Sequence, residues 1–202
     1  YLLCGRLIYE FFTQSTKRAM RSIRNSASVI KKVYVPKYIY PLSNVTANFV
    51  TFLISLLVLV CFVAYYYFFS EQPPHITPYV FLAIVPIITL FILSVGVGLI
   101  LSTLAVFFKD IEYLYEVFCM LLFYATPIIY KLETLKIQSE VVKLALMANP
   151  LYSIIQMFRD CVLFGEMMNP KHIIYSSCFS IVTVIIGLVL FYKKQDKFIL
   201  HI

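Results

Sequence analysis

The sequence predicts an all-α integral membrane protein with five transmembrane helices, a cytoplasmic amphipathic helix and an outer re-entrant helical hairpin. Three observations lead there. Of 202 residues, 61% are hydrophobic and 13% charged, with a mean hydropathy of +0.88, more apolar surface than one soluble core of this size can cover. Long apolar runs alternate with short polar turns. The Lys and Arg side chains behind the net charge of +7 cluster beside those runs, where positive charge sets topology. The charge therefore reads as orientation, and a nucleic-acid partner is not expected.

Taken in order, residues 1–16 form an apolar segment interrupted by Arg6, Glu10 and Gln14, read as a span cut at its outer end. Arg6 and Glu10, four residues apart, can pair on one helical face. Residues 17–40 form a cytoplasmic segment holding Lys17, Arg18, Arg21, Arg24, Lys31, Lys32 and Lys37 and no acid. Within it Ile23, Ala27, Ile30 and Tyr34 keep helical spacing until Pro36, with Arg24, Ser28 and Lys31 on another face. That pattern fits a short amphipathic helix, either lying on anionic lipid or docking a protein partner.

Residues 41–69 hold no charge and end in Tyr65-Tyr66-Tyr67, an interfacial aromatic belt. The following loop, through Pro78, has Glu71, three prolines and His75 but no Lys or Arg, as expected outside. Residues 79–108 return, with Pro86 available for a kink and Ser94, Gly98 and Ser102 at four-residue spacing as a small-residue packing face. Lys109, Asp110, Glu112 and Glu116 then make a tight inner turn, because a charge at the bilayer centre costs about 2.5–3.5 kcal/mol. Lys109 and Asp110 are expected to be paired or hydrated there, with Asp110 more consequential than Glu112. Residues 113–130 go out again.

Residues 131–172 hold no full span. The apolar run from Leu151 to Phe164 would reach only about 21 Å as a helix, against a hydrocarbon core of about 30 Å. With the amphipathic piece from Val141 to Ala148 and the break at Asn149-Pro150, it reads as a re-entrant or interfacial hairpin. Ser153, Gln156 and Asp160, with Arg159 beside them, form a polar stripe suited to a water-filled pathway. Residues 173–192 cross once more, and 193–202 form a cytoplasmic tail. Eleven Lys and Arg then fall on the inner side, none in the loop ending at Pro78 and five in 131–172, so the C-terminus is expected in the cytoplasm. Tyr1 then starts outside, and one earlier span is expected in the complete protein.

The chemistry-bearing residues exclude several classes. The five glycines do not form a phosphate-binding loop, and neither HExxH nor Gly-x-Ser-x-Gly is present. The five cysteines are scattered without CxxC spacing, and His75, His172 and His201 lie apart at membrane edges. The middles of the long spans lack the acids of a proton or sodium relay. A membrane enzyme using Asp110, Glu112 and Glu116 on a lipid-linked sugar stays open as an alternative.

Four segments in order carry a family resemblance: Lys31-Lys32-Val33 with Pro36; Phe107-Phe108-Lys109-Asp110-Ile111; Thr126-Pro127-Ile128-Ile129-Tyr130; and Asn149-Pro150-Leu151 with Arg159. Together they resemble the membrane subunits of type-2 ABC exporters. The nearest are those moving lipid-linked polysaccharides such as O-antigen, capsule or teichoic acid across the bacterial plasma membrane. The resemblance covers essentially all of 1–202 as a single transmembrane domain, beginning at the second of six spans. It departs at Lys109, where the family usually has arginine, so the geometry of a pairing there changes. The resemblance implies a homodimeric permease with the pathway between two copies, and a separate ABC ATP-binding subunit carrying ATP and Mg, with no cofactor on this chain. It also implies an ATPase-coupling role for Arg24, Lys31, Lys32 and Pro36, and an inner turn at Lys109 and Asp110. An outer gate or pathway is implied at Pro127, Tyr130, Asn149, Pro150, Gln156, Arg159 and Asp160. A drug, peptide or lipid cargo is the nearer alternative.

Overall fold

In the computed structural model, which describes residues 1–32, 35–69, 78–126, 128 and 148–198, every regular element is helical. In order these are α1 (Leu2–Asn25), α2 (Ala27–Ile30), α3 (Ile39–Phe69), a 3-10 turn (Pro78–Ala83) leading into α4 (Ile84–Phe107), and α5 (Ile111–Ala125). Then come α6 (Pro150–Arg159), continued by a π-helical turn (Asp160–Phe164), and α7 (Pro170–Lys194), followed by a 3-10 turn (Gln195–Lys197). Three described helical segments are long and apolar enough to cross a membrane: Ile39–Tyr65, Tyr79–Phe107 and Pro170–Lys197. These overlap the expected spans 41–69, 79–108 and 173–192, with ends up to five residues apart.

Two boundaries differ from the expectation, each for a local reason. The amphipathic helix expected from Ile23 is not separate. No Gly or Pro interrupts residues 6–25, so α1 continues through the basic residues and breaks only at Ser26, leaving α2 as one turn. The helix expected over 113–130 is shorter: α5 stops at Ala125 because Thr126 takes an extended conformation (φ −98°, ψ 124°). A residue preceding proline is pushed out of the helical region in this way. The loop 70–77, Tyr34, and the expected outer pieces at Pro127, Tyr130 and 131–147 lie outside the described residues, as do His75 and His201.

α4 is the axis, packing against α7 and α1 and, less extensively, α3, α5 and α6. Its small residues set the approach. A Cβ added at Gly96 would stand 2.7 Å from the backbone nitrogen of Val184 on α7, and one at Gly187 would stand 2.8 Å from the Gly96 carbonyl. The two backbones touch there, as small-residue crossings permit. On the expected small face, Gly98 abuts Ala19 of α1, and Ser94 and Ser102 are fully buried. Both serine hydroxyls donate to carbonyls of their own helix, so neither is left unsatisfied. The large side chains turned outward on α3, α5 and α7, such as Ile54, Leu57, Met120 and Ile185, are apolar, as in a multi-pass membrane protein.

The close crossing generates a prediction. Gly96→Val or Gly187→Val should destabilise the bundle by about 1–3 kcal/mol, the cost of overpacking a filled contact. Outward-facing Ile185→Val should be near neutral. Melting temperatures in detergent check this, and equal values for all three variants would contradict it.

Candidate functional site

One end of the bundle collects the basic residues. Arg21 and Arg24, in the last two turns of α1, reach across to the start of α5. Arg21 Nε donates to Glu112 at 3.1 Å and its terminal nitrogen to Glu116 at 3.1 Å, while Arg24 donates to the other oxygen of Glu112. The expected acid of this turn, Asp110, is exposed at the N-cap of α5 and makes no capping bond; Lys109 is exposed beside it. Pairing thus falls on Glu112 and Glu116 and not on Asp110, because those two carboxylates, four residues apart in the first two turns of α5, share the face toward α1.

The apolar face expected around Ile23 and Ile30 is real, but it packs on the protein. Both side chains join a core cluster with Leu99, Val106, Phe191 and Phe198. This leaves Ser28, Lys31, Lys32 and Pro36 exposed at the tip. The C-terminal residues are not a free tail: Phe198 is fully buried, and Lys37 Nζ donates to the Gln195 carbonyl at 2.6 Å while lying over the Phe198 ring. The segment between α1 and α3 is therefore tied down at Arg24 on one side and Lys37 on the other.

The opposite end is organised by α6. Asn149 is its N-cap, accepting from the Leu151 N–H at 3.0 Å with Pro150 in the first turn. The Asn149 amide also donates to Thr126 Oγ1 at 3.0 Å, joining α6 to the end of α5. Leu151, Ile154, Ile155, Met157 and Phe158 are all buried, so α6 is wedged within the bundle. The chain turns at Gly165, the described residue with positive φ (60°), into α7, whose Asn169-Pro170 start repeats the cap of α6.

Among the described residues the polar stripe of α6 is buried or half-buried. Arg159 is fully buried: its guanidinium lies 3.7 Å over the Tyr1 ring, donates to the Tyr1 hydroxyl at 2.8 Å, and donates to the Ile128 carbonyl at 2.9 Å. It fits because residue 5 is glycine, where an added Cβ would stand 2.5 Å from the guanidinium. Gln156 donates to Asp160 at 2.9 Å, and Ser153 is buried against His172 at 3.1 Å. Burial pushes the Asp160 carboxyl above its ordinary pKa, against the hydrogen bond from Gln156. The stripe expected to face water is satisfied internally, because α7 and α1 close over it. Pro127 and Tyr130, the other expected gate residues, lie outside the described residues.

Between the two ends, α1 exposes Arg6, Glu10, Gln14 and Arg18 at four-residue intervals. Arg6 and Glu10 approach to 4.0 Å, as their spacing predicts, and Gln14 donates to Glu10 at 3.0 Å. Beside this stripe, Glu10 and Gln14 border a groove whose far wall is Asn48, Thr51 and Ser55 of α3. The i,i+4 interval of Arg6 and Glu10 pointed to a shared face, and it extends to Gln14 and Arg18. Tyr1 and Gly5 were not singled out, and the partners of Glu112 and Thr126 were not foreseen, since they lie far away along the chain.

The buried guanidinium makes a testable case. Arg159→Lys keeps the charge but loses the planar fork, and should cost about 1.5–3 kcal/mol, the worth of hydrogen bonds to a charged group. Gly5→Ala should do similar damage by displacing the guanidinium. Cys4 and Cys161, buried at this end, should then react faster with thiol reagents, with a lower melting temperature. Unaltered thiol reactivity and melting would show that Arg159 is not the fastening point.

Comparison with known proteins agrees with this architecture. The sequence is 30% identical over 200 residues to two O-antigen export system permease proteins RfbA from Klebsiella pneumoniae, covering 98% of this chain and 73% of each relative. It is 24% identical over 202 residues to an O-antigen export system permease protein RfbA from Myxococcus xanthus, covering 74% of that protein. The sequence profile of the ABC-2 type transporter family matches residues 1–163, which include both ends of the bundle up to the π-helical turn. The chain belongs to the ABC-2 type transporter family.

Proposed function

We propose that this chain is the permease subunit of an ATP-driven exporter of lipid-linked polysaccharide, with the glycan path running along the polar face of α1. The observation that carries the reading is the exposed row Arg6, Glu10, Gln14 and Arg18, with beside it a groove lined by the polar Asn48, Thr51 and Ser55 and the apolar Leu7, Phe11 and Phe52. A helix 24 residues long has the length of a span, yet charges along it at about 2.5–3.5 kcal/mol each exclude lipid as their neighbour. Water and a hydroxyl-rich chain satisfy such a face. The relatives are O-antigen export permeases, which supports a glycan cargo over a drug, peptide or lipid.

In this reading α1 and the segment from α5 through residue 130 are also spans, making five, with the basic end cytoplasmic and the C-terminus on that side. Two copies enclose the path. An ABC ATP-binding subunit, holding ATP and Mg, docks on the exposed tip at Lys31, Lys32 and Pro36 and drives it. The wedge from Pro150 to Phe164 enters the outer leaflet and returns, and Asn149 and Arg159 hold it shut over the path.

Two measurements test this. Inside-out vesicles from cells making the polysaccharide should take it up only when this chain, the ATP-binding subunit and ATP are all present. Glu10→Leu with Gln14→Leu should then lower uptake roughly tenfold, the effect of about 1.4 kcal/mol at the rate-limiting barrier, while the complex still assembles. Full uptake by this double variant would overturn the path along α1. For topology, single cysteines at Lys143 and Lys171, in a background cleared of the five native ones, should both react from outside with a membrane-impermeant reagent. Opposite-sided labelling would mean that the wedge crosses.

A further inference from the structure

α5 is held unlike any other long helix here. Only Tyr115 and Cys119 of its 15 residues are buried, and Tyr113, Leu114, Met120, Leu121 and Tyr124 are exposed. Its apolar packing is confined to one side, where Ile111, Leu122 and Phe123 are half-buried beside Tyr115 and Cys119, and polar contacts fasten it at three points. At the basic end Glu112 and Glu116 receive Arg21 and Arg24. Midway, the Tyr115 hydroxyl lies 2.7 Å from Thr16 Oγ1, and the Tyr9 hydroxyl donates to the Cys119 carbonyl at 2.5 Å. At the opposite end Thr126 receives the Asn149 amide, and two residues on, the Ile128 carbonyl receives Arg159.

Between these attachments the helix is stiff. Residues 111–125 contain no Gly or Pro, so α5 is an unbroken rod of about 22 Å. Both ends of the rod are gripped by named side chains, and its middle slides against hydroxyls and a carbonyl. Directional contacts of this kind hold a helix in one of a few discrete positions, whereas broad apolar packing resists any displacement.

We propose that α5 is the lever of the exporter, with Glu112 as the positioning residue that passes movement of the basic segment to the outer wedge. Arg24 then acts through Glu112, and only the tip at Lys31 and Lys32 meets the ATP-binding subunit. Displacing the end of α1 pulls Glu112 and Glu116, shifts α5 along its axis, and moves Thr126 and the Ile128 carbonyl against Asn149 and Arg159. The wedge responds because its cap and its buried guanidinium are the groups being pulled. This rests on the exporter reading, but it assigns work to a helix and to acids that docking alone leaves idle.

The test uses the assembled complex of full-length permease and ATP-binding subunit. A single cysteine replaces Lys171, exposed at the start of α7 beyond the wedge, with the native cysteines replaced. Its rate of reaction with an impermeant thiol reagent is measured with and without ATP. In the otherwise unaltered protein, ATP should change that rate. In Glu112→Gln the ATP-dependent change should shrink by at least about fivefold, the low end of couplings between distant sites, with ATP hydrolysis and complex yield kept. Glu112→Asp should restore part of it. Thr126→Val, at the other end of the rod, should give the same loss, and the double variant should be no worse than the more affected single one. An undiminished response in Glu112→Gln, a parallel fall in ATP hydrolysis, or additive losses in the double variant would each overturn the lever while leaving the exporter standing. No ATP-dependent change in the unaltered protein, together with no uptake of polysaccharide, would overturn both.

Discussion

Hydrogen bonding in an apolar solvent is the constraint from which the rest of this structure follows. Between helices in lipid there is no hydrophobic gain to be had, since the surrounding chains are as apolar as leucine. Two things remain to hold helices together: backbones that approach closely enough for dispersion contact, and polar groups that satisfy one another. Both are used here, and in different places. α4 meets α7 where Gly96 faces Gly187, and meets α1 where Gly98 faces Ala19. α1 meets α5 through Thr16, Tyr9 and the two arginines, and meets α3 through the buried pair Asn48 and Ser15 at 3.0 Å.

This division has mechanical consequences. The α4–α7 contact is broad, and its backbones leave no room for a methyl group, so those two helices form a rigid pair. α5 stands at the other extreme, with its large side chains outward and its attachments polar. Exchanging one hydrogen-bond partner for another, or for water, is cheap compared with opening a packed core. A transport protein needs one group of helices that keeps its shape and another that moves, and the chemistry of the contacts sorts these helices into the two groups.

The wedge at the far end shows the same principle under more strain. α6 is ten residues long and buried on most sides, so its polar side chains take partners within the protein. Asn149 closes its N-terminus, Gln156 and Asp160 satisfy each other, Ser153 meets His172, and Arg159 is received by a ring, a hydroxyl and a carbonyl. A buried arginine is costly unless its donors are met. Gly5 makes the space for it, and Ile128, just beyond α5, supplies the carbonyl. Members of the ABC-2 transporter family are transport proteins, and the proposed lever would act on this fastening.

How far the sequence could be read followed from the range of each interaction. Apolar runs, their lengths and the clustering of positive charge are local quantities, and they sufficed for the helical class and for three segments long and apolar enough to cross a membrane. Local chemistry also foretold smaller features: the Asn-Pro start of α6, the Arg6–Glu10 pair and the small face of α4. Thr126 before a proline even announced where α5 ends, a signal left unused. What only the tertiary structure decided was partnership. Arginine can reach several ångströms in any direction, so nothing in its neighbours along the chain showed that Arg24 would meet Glu112 instead of a partner protein. Nor did they show that Arg159 would turn inward to Tyr1 and Ile128 instead of facing water. An amphipathic pattern says that a face must be covered, but whether lipid, another protein or the chain itself covers it depends on where residues tens or hundreds of positions away are brought by the fold.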